Sequence, residues 1–318
     1  MKSIVITTIN GLTAPIQRYQ DNPTFKDYQI IVVGDNKTPH IKSSGNLTYL
    51  SIQDQEKLGY KIIKKIPYNQ YCRKNIGYLF AMKSGSDMVY ETDDDNYPYS
   101  DWEIPTNFTD SVSSSSSFLN VCSLFTREHI WPRGFPLELI NDSPTISIAE
   151  NTKEPDVIQT LADNDPDVDA IYRLTSNKPV IFDKNKSIVL APGTFTPFNS
   201  QCTFWMPKAF NLMYFPMFVS WRFADILRSY VTQKLLWDSG SVLGYTSPVV
   251  YQERTRHDYM NDFRQEVVMY TSVMKTVNVL RTFNSKPSII DVYIELYKHG
   301  IVPIEEVDGV SDWMESIA

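Results

Sequence analysis

The sequence predicts an α/β protein, with a mostly parallel sheet early in the chain and a helical C-terminal half. Three observations carry that expectation. The run Tyr28-Gln-Ile-Ile-Val-Val33 is almost wholly apolar, as strands are when both faces of a parallel sheet are covered. Strand-like and helix-like stretches alternate from Ser3 to Asp95, the order that right-handed crossovers require. Between His257 and Leu280, the residues Met260, Phe263, Val267, Tyr270, Met274 and Val277 recur at helical steps and predict a long buried stripe.

In chain order, Ser3 to Thr8 reads as a buried first strand, Ile9-Asn10-Gly11 as a turn, and Thr13 to Gln20 as a helix. The second strand, Tyr28 to Val33, ends in Gly34-Asp35, and Leu47 to Ser51 forms a third. A helix is expected from Asn69 to Gly85, with Cys72, Ile76, Leu79 and Phe80 on one face and Gly85 as its C-terminal cap. The next strand begins at Met88 and runs into Asp93-Asp94-Asp95. Ser113 to Ser117 reads as a loop leading into a strand from Phe118 to Leu124, and Trp131-Pro-Arg-Gly-Phe-Pro136 as a rigid turn. The acid-rich region Asn141 to Asp167 reads as surface loop with one short helix at Ile158 to Ala162. Val180 to Asp183 and Ser187 to Leu190 suggest a hairpin, and Gln201 to Trp205 a strand. Helices are expected at Phe218 to Trp237, His257 to Leu280, Ser288 to Lys298 and Val302 to Ile317.

No linker or repeat interrupts the 318 residues. One domain is therefore expected over 1–318, with a ligand-binding half at 1–125, a second half at 126–255 and C-terminal helices at 256–318. Composition narrows the function classes. A formal charge of -7 argues against nucleic acid as the main partner. Cys72, Cys122 and Cys202 lack the spacing of a zinc site or a disulfide framework. No apolar stretch approaches the ~20 residues that span a bilayer, so a soluble, cytoplasmic protein is expected, or a Golgi-lumenal one if an anchor has been removed.

Three adjacent carboxylates at a strand end repel one another unless something cationic sits among them. A solvated acidic turn is the plain alternative. The flanks favour function, because Thr7-Thr8, Gly34-Asp35 and Asp93-Asp94-Asp95 all fall at carboxyl ends of parallel strands, where ligands of such sheets bind. A divalent ion with oxygen ligands would suit the acids. Arg73 and Asn75, near the start of the preceding helix, could reach a diphosphate, with Arg73 and Lys74 as a solvated helix face the other reading. Arg222, Asp225 and Ser229 form a polar stripe on an apolar helix. Asp225 there is either a general base or an ion-pair partner of Arg222 or Arg228. Asp167 and Asp169 are further acceptor-side candidates.

Arg73-Lys-Asn-Ile-Gly-Tyr followed by Tyr90-Glu-Thr-Asp-Asp-Asp-Asn96 resembles the GT-A-fold glycosyltransferases, Rossmann-like proteins whose acidic DxD motif binds a divalent metal and a nucleotide-sugar. More closely, it resembles the STELLO-type glycosyltransferase family. Gly34-Asp-Asn-Lys-Thr-Pro39, Trp131-Pro-Arg-Gly-Phe-Pro-Leu137, Pro166-Asp-Val-Asp-Ala170 and Trp221-Arg-Phe-Ala-Asp-Ile-Leu-Arg-Ser-Tyr230 fit that family in order and spacing. A more distant likeness is to the reversibly glycosylated polypeptides, which act as UDP-arabinopyranose mutases. The plant family members carry a membrane anchor that this sequence does not show.

The resemblance implies a GT-A fold and a donor that is a nucleotide-sugar, UDP-linked by preference, with a glycan or glycoprotein acceptor. It implies that Thr7, Thr8 and Asp35 hold base and ribose, and that Lys37, Arg73 and Asn75 face the diphosphate. Asp93 and Asp94 would touch the donor. Asp93, Asp95 and His257 would hold Mn²⁺ (or Mg²⁺), although a histidine ahead of a helix can also be a cap or surface residue. The competing expectations are a sugar-nucleotide mutase and a catalytically silent scaffold. A nucleotidyltransferase is disfavoured because Ile9-Asn10-Gly11-Leu12-Thr13 has one glycine and no basic residue. An EF-hand fails for want of its glycine and distal glutamate.

Overall fold

A computed structural model describes residues 1–176, 178–253, 258–284 and 286–318. Strands β1 (Lys2–Thr7), β2 (Tyr28–Val33), β3 (Leu47–Leu50) and β4 (Met88–Asp93) alternate with helices α1 (Ala14–Asp21), α2 (Ile52–Lys57) and α3 (Lys74–Lys83). Then come β5 (Asn96–Pro98), β6 (Asp110–Ser114), β7 (Ile146–Glu150), β8 (Val157–Asp163), α4 (Ala170–Thr175), β9 (Ser187–Leu190) and β10 (Cys202–Trp205). The chain closes with α5 (Trp221–Asp238), β11 (Leu243–Gln252), α6 (Tyr259–Arg281), α7 (Ile289–Lys298) and α8 (Ile304–Ile317). The fold is α/β, as expected.

Eleven strands form one sheet in the order β3-β2-β1-β4-β10-β8-β11-β9-β6-β7, with β5 added against β11. Strands β3, β2, β1 and β4 are parallel neighbours. Beyond them the sheet is mixed, a departure from the mostly parallel sheet expected. β10 runs antiparallel to both β4 and β8, so β8 points the same way as β4, and β11 runs parallel to β8. The carboxyl ends of β1, β2, β4, β8 and β11 therefore share one rim.

The period-2 alternation of the first strands splits the core in two. Ile4, Ile6, Ile30, Val32, Met88 and Tyr90 pack on one face with Tyr19, Phe25 and Trp102. Val5, Ile31, Val33 and Val89 pack on the other with α3, α5 and the C-terminal helices. Gly77 lets α3 lie close against this second face, since a Cβ there would run into the side chains of Val5 and Val33.

Five sequence expectations are corrected. Residues 157–163 form a fully buried central strand rather than loop and helix. The polar Gln159 disguises it, yet Gln159 is satisfied inside by Asn199, Cys202 and Thr203. The expected strand at 118–124 is in fact a short 3₁₀ turn at Val121–Leu124, and the strand lies earlier, at β6, inside the serine run. The 180–190 hairpin does not form, because β9 pairs with β11 and β6. β11 itself breaks the expected all-helical last third. On α6 the buried face is Asp262, Glu266, Met269, Val273, Thr276, Val277 and Leu280, while Met260 and Val267 are exposed. Two acids belong to the inner face of α6, so the expected apolar stripe meets the core only in part, at Tyr270, Met274 and Val277.

Candidate functional site

The rim opens into two connected hollows. The larger is lined by Thr7, Thr8, Asn10, Thr13, Asp35, Gln70, Arg73 and Tyr97, and encloses about 1170 Å³ including space open to solvent. The smaller, about 660 Å³ on the same measure, is lined by Asp93, Arg133, Asp167, Ser200, Phe215, Trp221, Arg222 and Asp225. Tyr71, Asp94 and Asp95 line both. The acid cluster thus stands at the junction.

Each acid has its own support. Asp93 Oδ1 accepts a 2.7 Å hydrogen bond from the Lys74 ammonium, which also donates to the Ser200 carbonyl at 2.6 Å. Burial pushes the Asp93 carboxyl up to about 7, against the pull of Lys74 and with a further push from Asp95 and Asp94. Asp94 is held by neutral groups, the Thr8 hydroxyl at 2.5 Å and the Asn10 amide at 3.0 Å. Its backbone carbonyl accepts from Thr13, whose hydroxyl also caps α1. Asp95 accepts from the Gln252 amide at 2.8 Å, which ties β4 to the end of β11.

The chemistry of this donor set fits a hard divalent cation: all-oxygen ligands gathered on one rim. Among the described residues no three His, Cys, Asp or Glu side chains group closely enough to form a complete shell. The remaining positions would fall to ligand oxygens and water, as in sites where a metal bridges protein and phosphate.

The wall of the smaller hollow is built around Arg133. Its guanidinium forks onto Asp225 at 3.0 and 2.8 Å and onto Asp167 at 2.7 to 3.1 Å, and it also donates to the Arg222 carbonyl. Gly134, with φ +85°, turns the chain so tightly against α5 that any Cβ would strike Ile226. That close approach seats Arg133 on the helix. Arg222 pairs with the buried Glu266 of α6 through Nε at 2.8 Å. Tyr71 and Trp221 stack at the lip, with centroids 5.6 Å apart and planes 28° apart.

Of the residues expected from sequence, Thr7, Thr8, Asp35, Arg73, Asp93, Asp94, Asp95 and Asp225 all line the two hollows. Their engagements qualify several roles. Arg73 is buried and turned inward, with donors on the Ile66 carbonyl and the Gln55 amide oxygen and Nε 3.8 Å from Asp35. Asp35 accepts from the backbone amides of Asn36 and Asn69, both at 2.7 Å. Asp225 is in an ion pair, as one sequence reading had it, but its partner is Arg133 rather than Arg222 or Arg228. It also accepts from the amides of Ile226 and Ser200.

Three residues lie elsewhere. Asn75 is fully buried and pairs reciprocally with the Phe215 backbone at 2.7 and 2.8 Å, so it splices α3 to the chain before α5 and does not face a diphosphate. Lys37 is exposed and lines neither hollow, because Thr38 turns inward to the Thr8 carbonyl and leaves Lys37 pointing out. His257 lies outside the described residues. Asp169 is the buried N-cap of α4, bonded to Trp131 Nε1 at 2.6 Å. Burial raises its carboxyl to about 6.

Sequence reasoning missed Lys74, Arg133 and Gln252. The signal for Arg133 was present in the rigid Trp131–Pro136 turn, where a charged residue flanked by apolar ones needs a buried partner.

Comparison with known proteins agrees with the sequence resemblance. The family described as STELLO glycosyltransferases matches residues 222–303, from the start of α5 to the start of α8. Two Arabidopsis thaliana proteins named Probable glycosyltransferase STELLO1 and STELLO2 are 24% and 25% identical to it over 95% of this chain. The chain spans less than half of their length, 43% in each case. Among solved structures, glucosyl-3-phosphoglycerate synthase from Mycobacterium tuberculosis, in complex with phosphoglyceric acid, aligns with a TM-score of 0.39 and 10% identity. That alignment covers 88% of this chain and 79% of the other. By sequence, the chain is similar to the STELLO glycosyltransferases over 95% of its length.

Proposed function

We propose that this chain transfers a sugar from a nucleotide-sugar, a UDP-sugar by preference, to an acceptor hydroxyl on a glycan or glycoprotein. The observation that carries the reading is the rim itself. Thr7-Thr8, Asp35 and Asp93 to Asp95 come from the ends of three parallel strands and line the two adjoining hollows beyond them. The larger hollow would take the nucleoside, with Thr8 and Asn10 holding Asp94 at its floor. The acid cluster would meet the diphosphate, and the smaller hollow the acceptor.

In the reaction the acceptor oxygen bonds to the anomeric carbon while the bond from that carbon to the diphosphate oxygen breaks. The acceptor proton passes to a base, and the nucleoside diphosphate leaves. A divalent ion, Mn²⁺ or Mg²⁺, bound at Asp93 and Asp95 would neutralise charge on the departing diphosphate. Asp225 is the carboxylate we assign to the acceptor side. It can take a proton only when Arg133 rests on Asp167 alone, since both its oxygens are otherwise occupied.

The test is incubation with a panel of nucleotide-sugars and Mn²⁺, following nucleotide release and donor isomerisation together. Nucleotide release without rearrangement supports transfer. Rearranged donor would replace this reading with a mutase, and inertness toward every donor would point to a scaffold.

A further inference from the structure

The smaller hollow has a distinctive lining. Among the described residues, none of its side chains is an aliphatic hydrocarbon. Its apolar surface is the rings of Tyr71, Phe215 and Trp221, and the rest is carboxylate, guanidinium, amide and hydroxyl. A lipid tail, or the apolar neighbours of a peptide hydroxyl, would be matched by aliphatic side chains. A pyranose is matched by this mixture. Its axial C–H bonds form an apolar, electropositive patch that suits the negative face of an aromatic ring. Its hydroxyls donate and accept at carboxylates, guanidinium groups and amides.

Two of the rings are set before any ligand arrives. Tyr71 comes from the turn ahead of α3 and Trp221 from the first residue of α5, and they stack with centroids 5.6 Å apart. The segments that carry them are spliced by the reciprocal Asn75–Phe215 bonds at 2.7 and 2.8 Å. The Arg222 guanidinium, itself held by Glu266, lies 5.3 Å from the Trp221 ring centre. Tyr71 is 43% exposed along the lip, while its hydroxyl end lies deep at the junction of the hollows. Desolvation there, and next the charges of Asp93, Asp95 and Asp94, push that hydroxyl above the ordinary tyrosine range, so it stays protonated and able to donate.

We propose that the Tyr71–Trp221 pair is a pyranose platform, so that the acceptor hydroxyl belongs to a sugar ring and not to a peptide or a lipid. The inference rests on reading the smaller hollow as the acceptor side. Trp221 lines that hollow and not the larger one, and it therefore separates acceptor binding from donor binding.

The test is saturation-transfer NMR on the full chain, without donor or metal, using a panel of methyl pyranosides and disaccharides beside N-acetylthreonine amide and hexanol. At least one saccharide should receive saturation, strongest at the axial protons of one ring face, and the two controls none. Trp221→Leu and Tyr71→Leu should each weaken that saccharide on the order of tenfold. Trp221→Phe, which keeps an aromatic face, should weaken it by no more than about threefold. UDP affinity with Mn²⁺ should stay within about threefold of the parent in Trp221→Leu. No saturation of any saccharide, preference for the threonine amide or hexanol, or saccharide binding that neither leucine variant weakens would overturn the inference. Should Trp221→Leu not fold, Tyr71→Leu decides, and undiminished saccharide binding there sinks the platform. The two readings fail separately. Nucleotide release by a protein that binds no saccharide keeps transfer and overturns the platform. Saccharide binding at Trp221 by a protein inert toward every donor keeps the platform and overturns transfer.

Discussion

Two buried arginines, both brought to α5, hold carboxylates in opposite ways. Arg228 lies beneath the sheet with Glu91 of β4, at 2.7 Å and 3.3 Å, between the rings of Trp205 and Phe215. The indole of Trp205 and the hydroxyl of Tyr78 complete the Glu91 carboxylate. This is one cation for one anion, sealed from water. Arg133 instead serves Asp167 and Asp225 together at the wall of a hollow. There one guanidinium bridges two carboxylates beside a space a ligand can enter. The first arrangement locks sheet to helix. The second can redistribute its bonds between Asp167 and Asp225.

The largest effect should come from breaking the sealed pair. Arg228→Met should cost about 3–5 kcal/mol, because it leaves Glu91 charged and alone. Chemical denaturation would measure it, and a loss below about 1 kcal/mol would mean the two regions do not differ as described.

A third carboxylate sharpens the contrast. Glu306 is fully buried with Tyr214 and the Phe218 amide, and has no cation among the described residues. Burial raises it from 4.5 to about 7. A raised carboxyl favours the folded state at low pH and loses that advantage as pH climbs through its folded value. Relative to Glu306→Gln, the parent should therefore lose up to about 3 kcal/mol between pH 4.5 and 7. Parallel stability curves for the two proteins would contradict the raised value.

Asp225→Asn tests the cleft arginine more gently. Arg133 keeps Asp167, so about 1–3 kcal/mol of stability should be lost. If Asp225 also serves as base, transfer by the folded protein should drop about 10²-fold with donor affinity near normal. Normal specific activity would leave the carboxylate a purely structural partner. The smallest effect is expected at the surface. Lys57→Ala, which removes an exposed pair with Asp54 at 3.1 Å, should change stability by less than about 0.5 kcal/mol.

The same division between local and distant partners explains what the sequence reveals. The strands 3–7, 28–33 and 88–93 are legible because their apolar runs and punctuating Gly34, Gly85 and Pro98 are local signals. So are Thr8, Asp35 and the three acids, which follow directly from strand ends. β8 is not legible, since Gln159 reads as surface and finds its partners more than forty residues away at Cys202 and Thr203. Lys74 is hidden for the same reason, because a lysine beside an arginine on a helix reads as solvated until Ser200 is brought beneath it. Asn75 shows the reverse error: a polar residue well placed in sequence for a ligand turns out to stitch backbone at Phe215.

Gly77 sets the clearance beneath the acid cluster. The missing side chain fixes how low α3 rides over Val5 and Val33, and Lys74 sits one turn back on that helix. A single added methyl at residue 77 would act as a shim, lifting the helix end by a fraction of an ångström to about 1 Å. Displacement on that scale is enough to cost about 10²-fold in a reaction that depends on aim. The precision of the acid cluster is thus a machining tolerance held by a residue that lines neither hollow, and the contact between Lys74 and Asp93 is what it keeps in gauge.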